Sequence, residues 1–244
     1  MKLAIMQPYF FPYLGYFQLI AASDVFVLHD DVQYIKGGWI NRNRILLNGE
    51  DRMITFPVQK DAYELPINAR NYVGDKQARK DIINLIKQAY AKAPCYPLVF
   101  PVLEELLMFE DKNVARFNEN LIRHICNFIG IGSSIITSSG MDKDNDLAGE
   151  PRVLDICRRL GATDYTNPQG GQSLYDTRTF YNAGIDLRFL VMRTRSYPQR
   201  SADFVPYLSI IDALMELGPA EIKPYLDEYD LITIPVDMET FQKC

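Results

Sequence analysis

Lys2-Leu3-Ala4-Ile5-Met6, then Gln7-Pro8-Tyr9-Phe10-Phe11-Pro12-Tyr13, then Leu14-Gly15-Tyr16-Phe17-Gln18-Leu19-Ile20-Ala21-Ala22, then Val25-Phe26-Val27-Leu28 open the chain, and their order decides the fold. The first group is a short apolar run, and two prolines keep the second out of a helix interior. The third has apolar residues at helical spacing, and Asp24 punctuates before the fourth. Strand, loop, helix and strand follow one another, with both strands apolar enough for a buried parallel pair joined by a crossover helix. A doubly wound, Rossmann-like α/β core with a parallel sheet is the expected fold.

Further along, Asn43 to Leu47 and Met53 to Val58 flank Asn48-Gly49-Glu50-Asp51, which predicts a β-hairpin decorating the sheet. Asp75 is a plausible N-cap for a helix with Ala78, Ile82, Ile86 and Tyr90 on one face, closed by Ala93-Pro94. Two more helices are expected at about 98–109 and 113–129, the last stopped by Gly130. Ile135-Ile136 reads as the tail of a strand, and Asp164 to Thr166 and Leu187 to Met192 as further strands. Helices are expected around Val153 to Leu160, ending at Gly161, and Leu208 to Leu217, ending at Gly218. The chain is expected to be a single α/β domain over 1–244. Segments 1–74 and 131–218 form the sheet core, 75–130 a helical insert or cap, and 219–244 a C-terminal extension.

Composition narrows the class. The 244 residues are 48% hydrophobic and carry a net charge of -5. A chain of this size buries roughly 70 to 75% of its unfolded surface, so a disordered or fibrous protein is excluded. The charge gives no general pull toward nucleic acid. Cys95, Cys126, Cys157 and Cys244 are scattered without a C-x-x-C pair, which suggests neither a disulfide framework nor a zinc site and fits a reducing cytoplasm. The uncharged run from Leu3 to Ser23 is broken by Gln7, Pro8, Pro12 and Gly15, so no membrane span or signal peptide is expected.

Three constellations carry possible chemistry. The first spans Gln7 to Tyr16, where strand one meets helix one, the usual ligand crevice of an open α/β sheet. The helix N-terminus offers N–H groups to an anion, and Gly15 permits close approach; an aromatic cluster capping the sheet edge is the alternative. The second runs from Asp30 to Arg44 after strand two. Asp30 and Asp31 suit a divalent metal, an ammonium or a sugar hydroxyl, and Arg42 and Arg44 suit a carboxylate or phosphate. Trp39 presents a flat face, amid Gln33, Tyr34, Asn41 and Asn43; a solvated loop of mutually paired charges is the alternative. The third is Asn167 with Gly170 and Gly171, either an anion nest or a plain turn. Arg193, Arg195, Tyr197, Gln199 and Arg200 form a local basic patch or a solvated loop. His29 reads equally as a site or a packed residue, and His124 as a packed or surface residue. No Gly-x-Ser-x-Gly elbow or Cys–His context supports a hydrolase triad.

Met6-Gln7-Pro8-Tyr9-Phe10-Phe11-Pro12-Tyr13-Leu14-Gly15-Tyr16, Asp30-Asp31-Val32-Gln33-Tyr34, Trp39-Ile40-Asn41-Arg42-Asn43, Lys92-Ala93-Pro94, Leu160-Gly161-Ala162, Gly170-Gly171 and Leu208-Ser209-Ile210-Ile211-Asp212 together resemble the WbqC-like family of bacteria over nearly the whole chain. That resemblance implies a place in O-antigen or other surface-polysaccharide synthesis, with transfer of glycine or an aminoacyl group to a sugar suggested for members. The opening strand and Tyr13-Leu14-Gly15-Tyr16 are also similar to the H-x-G-H region of nucleotidylyltransferases and class I synthetases. Tyrosine stands at both histidine positions, supplying neutral donors where that superfamily has imidazoles.

These resemblances imply an enzyme joining a small acyl group to the amino group of a nucleotide-linked sugar or glycan precursor, with ATP as a possible co-substrate. Tyr13, Gly15 and Tyr16 would hold phosphate. Asp30, Asp31, Gln33, Trp39, Asn41 and Arg42 would orient substrate, with Asp30 or Asp31 as general base. Gln7, Tyr9, Tyr34, Asn43, Asn167, Gly170, Gly171, Tyr197 and Gln199 complete the expected binding residues; no metal ligands are assigned. The alternatives are a non-catalytic nucleotide-sugar binding protein and an ATP-independent acyltransferase drawing on a carrier thioester.

Overall fold

The computed structural model describes residues 1–74 and 76–235. Asp75, the expected helix cap, lies outside the described residues, as do 236–244 of the C-terminal extension and with them Cys244. The opening segment folds as read: β1 (Lys2–Met6), α1 (Leu14–Ala21) and β2 (Val25–Leu28), with β1 and β2 parallel. Side chains of β1 alternate between the two faces, as strand geometry requires. Leu3 and Ile5 join one core with Val27, while Ala4 joins the other with Phe26 and Leu28. A strand buried on both faces must be apolar throughout, which is why this one shows no polar alternation.

The hairpin is β3 (Arg42–Leu47) and β4 (Glu50–Thr55), with Leu47 opposite Glu50. The connection is tighter than the four-residue turn expected. Asn48 and Gly49 both adopt positive φ, 54° and 82°, the signature of a two-residue turn whose twist matches the strands. The insert is α2 (Lys76–Tyr90), α3 (Tyr96–Leu107) and α4 (Val114–Ile129). Asn113 caps α4 by accepting from the Arg116 N–H at 3.1 Å, and Gly130 ends it with φ 78°. Apolar residues of all three helices share one core with α1 and the strands.

The chain then returns to alternation: β5 (Ser134–Thr137), α5 (Gly149–Leu160), β6 (Asp164–Pro168), α6 (Thr177–Asn182), β7 (Asp186–Met192), α7 (Ile210–Glu221), α8 (Lys223–Leu226) and β8 (Tyr229–Ile232). Gly218 breaks α7 with φ 76° and ψ 170°. The sheet order is β5-β2-β1-β6-β7-β8, parallel except for the antiparallel edge strand β8. Order reverses between β1 and β6, so a doubly wound sheet opens its crevice at the carboxyl ends of those strands. Helices α5 and α6 cover the face that includes Leu3, Val27 and Tyr165, while α1, the insert and α7 cover the other. Among the described residues no helix is long and apolar enough to cross a membrane.

Candidate functional site

The loop from β1 to α1 is held by side chains from distant segments. Phe10 and Phe11 are fully buried anchors, and Phe11 takes the left-handed φ of 41°. Asn43 Nδ2 donates to the carbonyls of Phe10 and Phe11 at 3.2 and 2.8 Å, and Ser209 Oγ donates to Phe11 O at 2.8 Å. From α4, Asn118 Nδ2 donates to Pro8 O at 2.8 Å and Ile40 O at 2.7 Å, while its Oδ1 accepts from the Tyr72 hydroxyl. An unmade bond inside would cost more than a made one gains, so these straps fix the loop.

With both phenylalanines pinned inward, Tyr9 and Tyr13 turn outward. Together with Trp39, Asn43, Arg44 and Tyr207 they line a cleft of about 340 Å³. The Tyr13 and Tyr207 rings meet edge-on at 6.1 Å, and Tyr207 sits at φ 59°. Trp39, the chain's one tryptophan, is 41% exposed. Burial, with Tyr9 and Tyr207 nearby, pushes the Tyr13 hydroxyl up to about 12, leaving it a neutral hydrogen-bond donor at physiological pH. Arg44 spends its guanidinium on Asp51 at 2.9 Å and on the carbonyls of Pro206 and Tyr207. Flat aromatic faces over a floor of fixed polar groups suit a sugar or a base.

Asp30 and Asp31 adjoin in sequence but point to different partners. Asp30 accepts from the backbone N–H and Oγ of Ser139 at 2.9 and 2.5 Å, fastening the 3-10 turn after β5. Asp31 lies 2.5 Å from Lys143 Nζ, with Arg152 Nη1 and His29 Nε2 each 3.9 Å away. Burial works to raise the Asp31 pKa, but the Lys143 hydrogen bond, with Ser138 and Arg152, outweighs it and holds the carboxyl low. Ser138 is close enough to contribute, yet its Oγ makes no hydrogen bond of acceptable geometry. His29 is driven down to about 4, first by burial. A carboxylate held ionised in this way is a weak proton acceptor near neutrality, which counts against Asp31 as general base.

The second constellation therefore disperses. Trp39 and Asn43 belong to the aromatic cleft. Tyr34, Asn41 and Arg42 line a separate groove of about 610 Å³ with Arg70 and Tyr63. Inside it the Tyr34 hydroxyl donates to Asn41 Oδ1, Asn41 Nδ2 donates to Phe56 O, and Arg70 lies 5.1 Å over the Tyr34 ring. Arg42 folds onto its own loop, its Nε donating to Gly38 O and its Nη2 to Gly37 O. Gln33 is exposed, with one long bond to Tyr63 O at 3.4 Å.

Other expected residues serve the fold. Tyr16 is buried and its hydroxyl donates to Gln7 O at 2.9 Å, so it pins the loop and does not face a phosphate. The Tyr13 ring covers Gly15 so closely that a β-carbon there would lie 2.4 Å from Cε2, so a glycine is needed for this ring to pack on α1. Gly170 and Gly171 fall in a 3-10 turn with no left-handed residue, so the alternation that makes a nest is absent. Gly171 is instead required because Asn167 Oδ1 sits 2.0 Å from where its β-carbon would be, and Asn167 Nδ2 donates to the Tyr165 hydroxyl. Tyr197 and Gln199 both donate to Asp212 Oδ2 at 2.8 Å, and Tyr90 donates to the other oxygen at 2.9 Å. Asp212 is thus a buried hub for three donors.

Asn118, Tyr207, Lys143, Arg152 and Arg70 are the residues that sequence reasoning missed. Asn118 carried a signal: a polar residue fully buried on the apolar side of an amphipathic helix needs partners. The other four sit in loops or at a helix start and carry no periodic mark. Burial pushes the thiols of Cys126 and Cys157 up to about 12, so neither is a ready nucleophile. Among the described residues no group of three or more His, Cys, Asp and Glu is arranged to hold a metal ion.

A family model, described as the WbqC-like protein family, matches residues 7–224. A relative from Mycobacterium tuberculosis (strain H37Rv), Rv1507c, described as an uncharacterized protein, is 32% identical over 230 residues, covering 92% of this chain and 97% of that one. No solved structure matches the chain.

Proposed function

Since the chain belongs to the WbqC-like protein family, which points to polysaccharide-associated biosynthesis, we propose that it joins glycine or another small acyl group to an amino sugar of a surface-glycan precursor. One observation carries this proposal: the aromatic cleft of Tyr9, Tyr13, Trp39 and Tyr207 is built on the β1–α1 loop, beside the switch point of a doubly wound sheet. Those rings cradle the sugar or base. Asp31 holds Lys143 and Arg152 at the neighbouring strand end, as a fixed charge and not as a base. In the reaction the sugar amine attacks an activated acyl carbonyl, an amide bond forms, the activating group leaves with its electron pair and the amine releases a proton.

Mass spectrometry of the protein incubated with candidate nucleotide-linked amino sugars, with either ATP plus glycine or an acyl thioester, tests this directly. An amide product supports the assignment, and the donor that works decides between an ATP-dependent ligase and an ATP-independent acyltransferase. A second reading is favoured by the state of the carboxylates. Asp30 and Asp31 are both committed to partners within the fold, which suits a protein that binds a nucleotide sugar without turning it over. Calorimetric binding of the nucleotide sugar with no product from any donor would select it.

A further inference from the structure

The groove of about 610 Å³ beside the hairpin is strongly cationic although the chain as a whole is acidic. Lys36, Arg42, Lys60 and Arg70 line it against a single carboxylate, Asp61. Among the described residues none of the four cations has a carboxylate within 4.0 Å. Asp61 itself accepts from the Ala62 N–H at 2.9 Å.

Arg70 is the decisive residue. It is only 5% exposed, and its Nη2 donates to the carbonyls of Ala62 and Tyr63. Its Nε is buried with no hydrogen-bond partner. An arginine is always charged, and burying one without an anion is costly unless something supplies the missing charge. The Tyr34 ring beneath it offers only a cation–π contact.

We propose that this groove binds a diphosphate. Arg70 and Arg42 would supply positive charge and the guanidinium N–H groups that their carbonyl partners leave free, and Lys36 and Lys60 would add point charges at the rim. Four cations against one carboxylate leave an excess of three positive charges, enough to balance the two or three negative charges of a diphosphate ester. At the start of α1, where phosphate was expected from sequence, the Tyr13 ring packs over Gly15; the groove offers the denser set of cations without carboxylate partners. This deepens the function proposed above by naming the chemical group held near Tyr34 and Arg42, and rests on it only for the identity of the molecule that carries the group.

Calorimetry at low salt with inorganic pyrophosphate and with a nucleoside diphosphate, and flotation with vesicles containing a polyprenyl diphosphate, read the binding and separate a soluble source from a lipid one. Binding in either arm that weakens as salt rises is expected. The Lys36→Ala/Lys60→Ala protein changes only rim residues and should bind at least about tenfold more weakly with its thermal midpoint kept. Arg70→Lys, which keeps the charge and loses the planar guanidinium, should also weaken binding. No binding in any arm, or equal affinity in the Lys36→Ala/Lys60→Ala protein, overturns the proposal. Diphosphate binding without an amide product sinks the acyl-transfer function alone. An amide product whose KM for the nucleotide sugar ignores both lysines sinks the groove alone.

Discussion

Lys143 Nζ lies 2.5 Å from Asp31 Oδ2 with 1% of the lysine side chain exposed, so a buried ion pair joins the loop after β5 to the end of β2. Removing one partner strands the other charge, at a cost of about 3 to 5 kcal/mol. Lys143→Met should lower the stability measured by urea unfolding by about that amount. Adding Asp31→Asn removes the stranded carboxylate and should recover part of the loss. A double variant no more stable than Lys143→Met would mean that the two charges are not coupled.

His29 makes the same strand end sensitive to acid. Burial, opposed by Asp31 and aided by Arg152 and Lys143, lowers its pKa to about 4, whereas an unfolded imidazole titrates near 6.5. The unfolded state therefore takes up the proton first. Stability is full above about pH 6.5 and falls as pH drops toward 4, by on the order of 3 kcal/mol. Asp31, held low, adds a loss only below the unfolded value of about 3.9. Thermal midpoints measured from pH 7 to 3 should show the first decline in the native protein and lack it in His29→Gln. Because burial raises the Asp212 and Glu216 carboxyls, which favour the native state as pH falls, the difference between the two proteins is the test, and a difference that stays constant from 6.5 to 4 would count against a buried neutral His29.

The β-α-β opening was legible because each of its signals is local: apolar runs, two prolines and a helical period lie within twenty-eight residues. The hairpin and the three insert helices were legible for the same reason, through Asn48-Gly49, Ala93-Pro94, the helical apolar spacing and Gly130. α6, with six residues, and α8, with four, are too short for periodicity to register. The site was harder to read. Asp30 to Arg44 look like one cluster along the chain, yet the loop through Gly37, at φ 81°, sends Asp31, Arg42 and Trp39 to three different places. Ser139, the partner of Asp30, and Lys143 and Arg152, the partners of Asp31, come from more than a hundred residues away, and no local pattern encodes such a meeting.

Asn118 tests whether the insert positions the site. Its side chain satisfies Pro8 O, Ile40 O and the Tyr72 hydroxyl together; without it the Tyr72 hydroxyl still donates to Ile40 O and Pro8 O is left unpaired, which inside costs about 1 to 3 kcal/mol. Asn118→Ala should destabilise the protein by about that amount. Because Trp39 precedes Ile40 and is the only tryptophan, its emission should shift as the loop loosens. Unchanged emission together with unchanged stability would show that the β1–α1 loop is held without α4.

Trp39 and Tyr16 separate binding from folding. Trp39 is 41% exposed, and the Phe10 N–H bonds to the Trp39 carbonyl and not to the ring, so Trp39→Ala leaves the main-chain strap in place. A base or sugar stacked on the ring loses about 1 to 3 kcal/mol on its removal, and the Kd of a nucleotide sugar measured by calorimetry should rise roughly tenfold or more. The thermal midpoint should hardly move. Tyr16→Phe does the opposite: the lost bond to Gln7 O should cost about 1 kcal/mol of stability, with affinity nearly unchanged because that hydroxyl faces the loop. If Trp39→Ala binds as tightly as the native protein while Tyr16→Phe loses affinity at full stability, the ligand contacts Tyr16 and the cleft is misplaced.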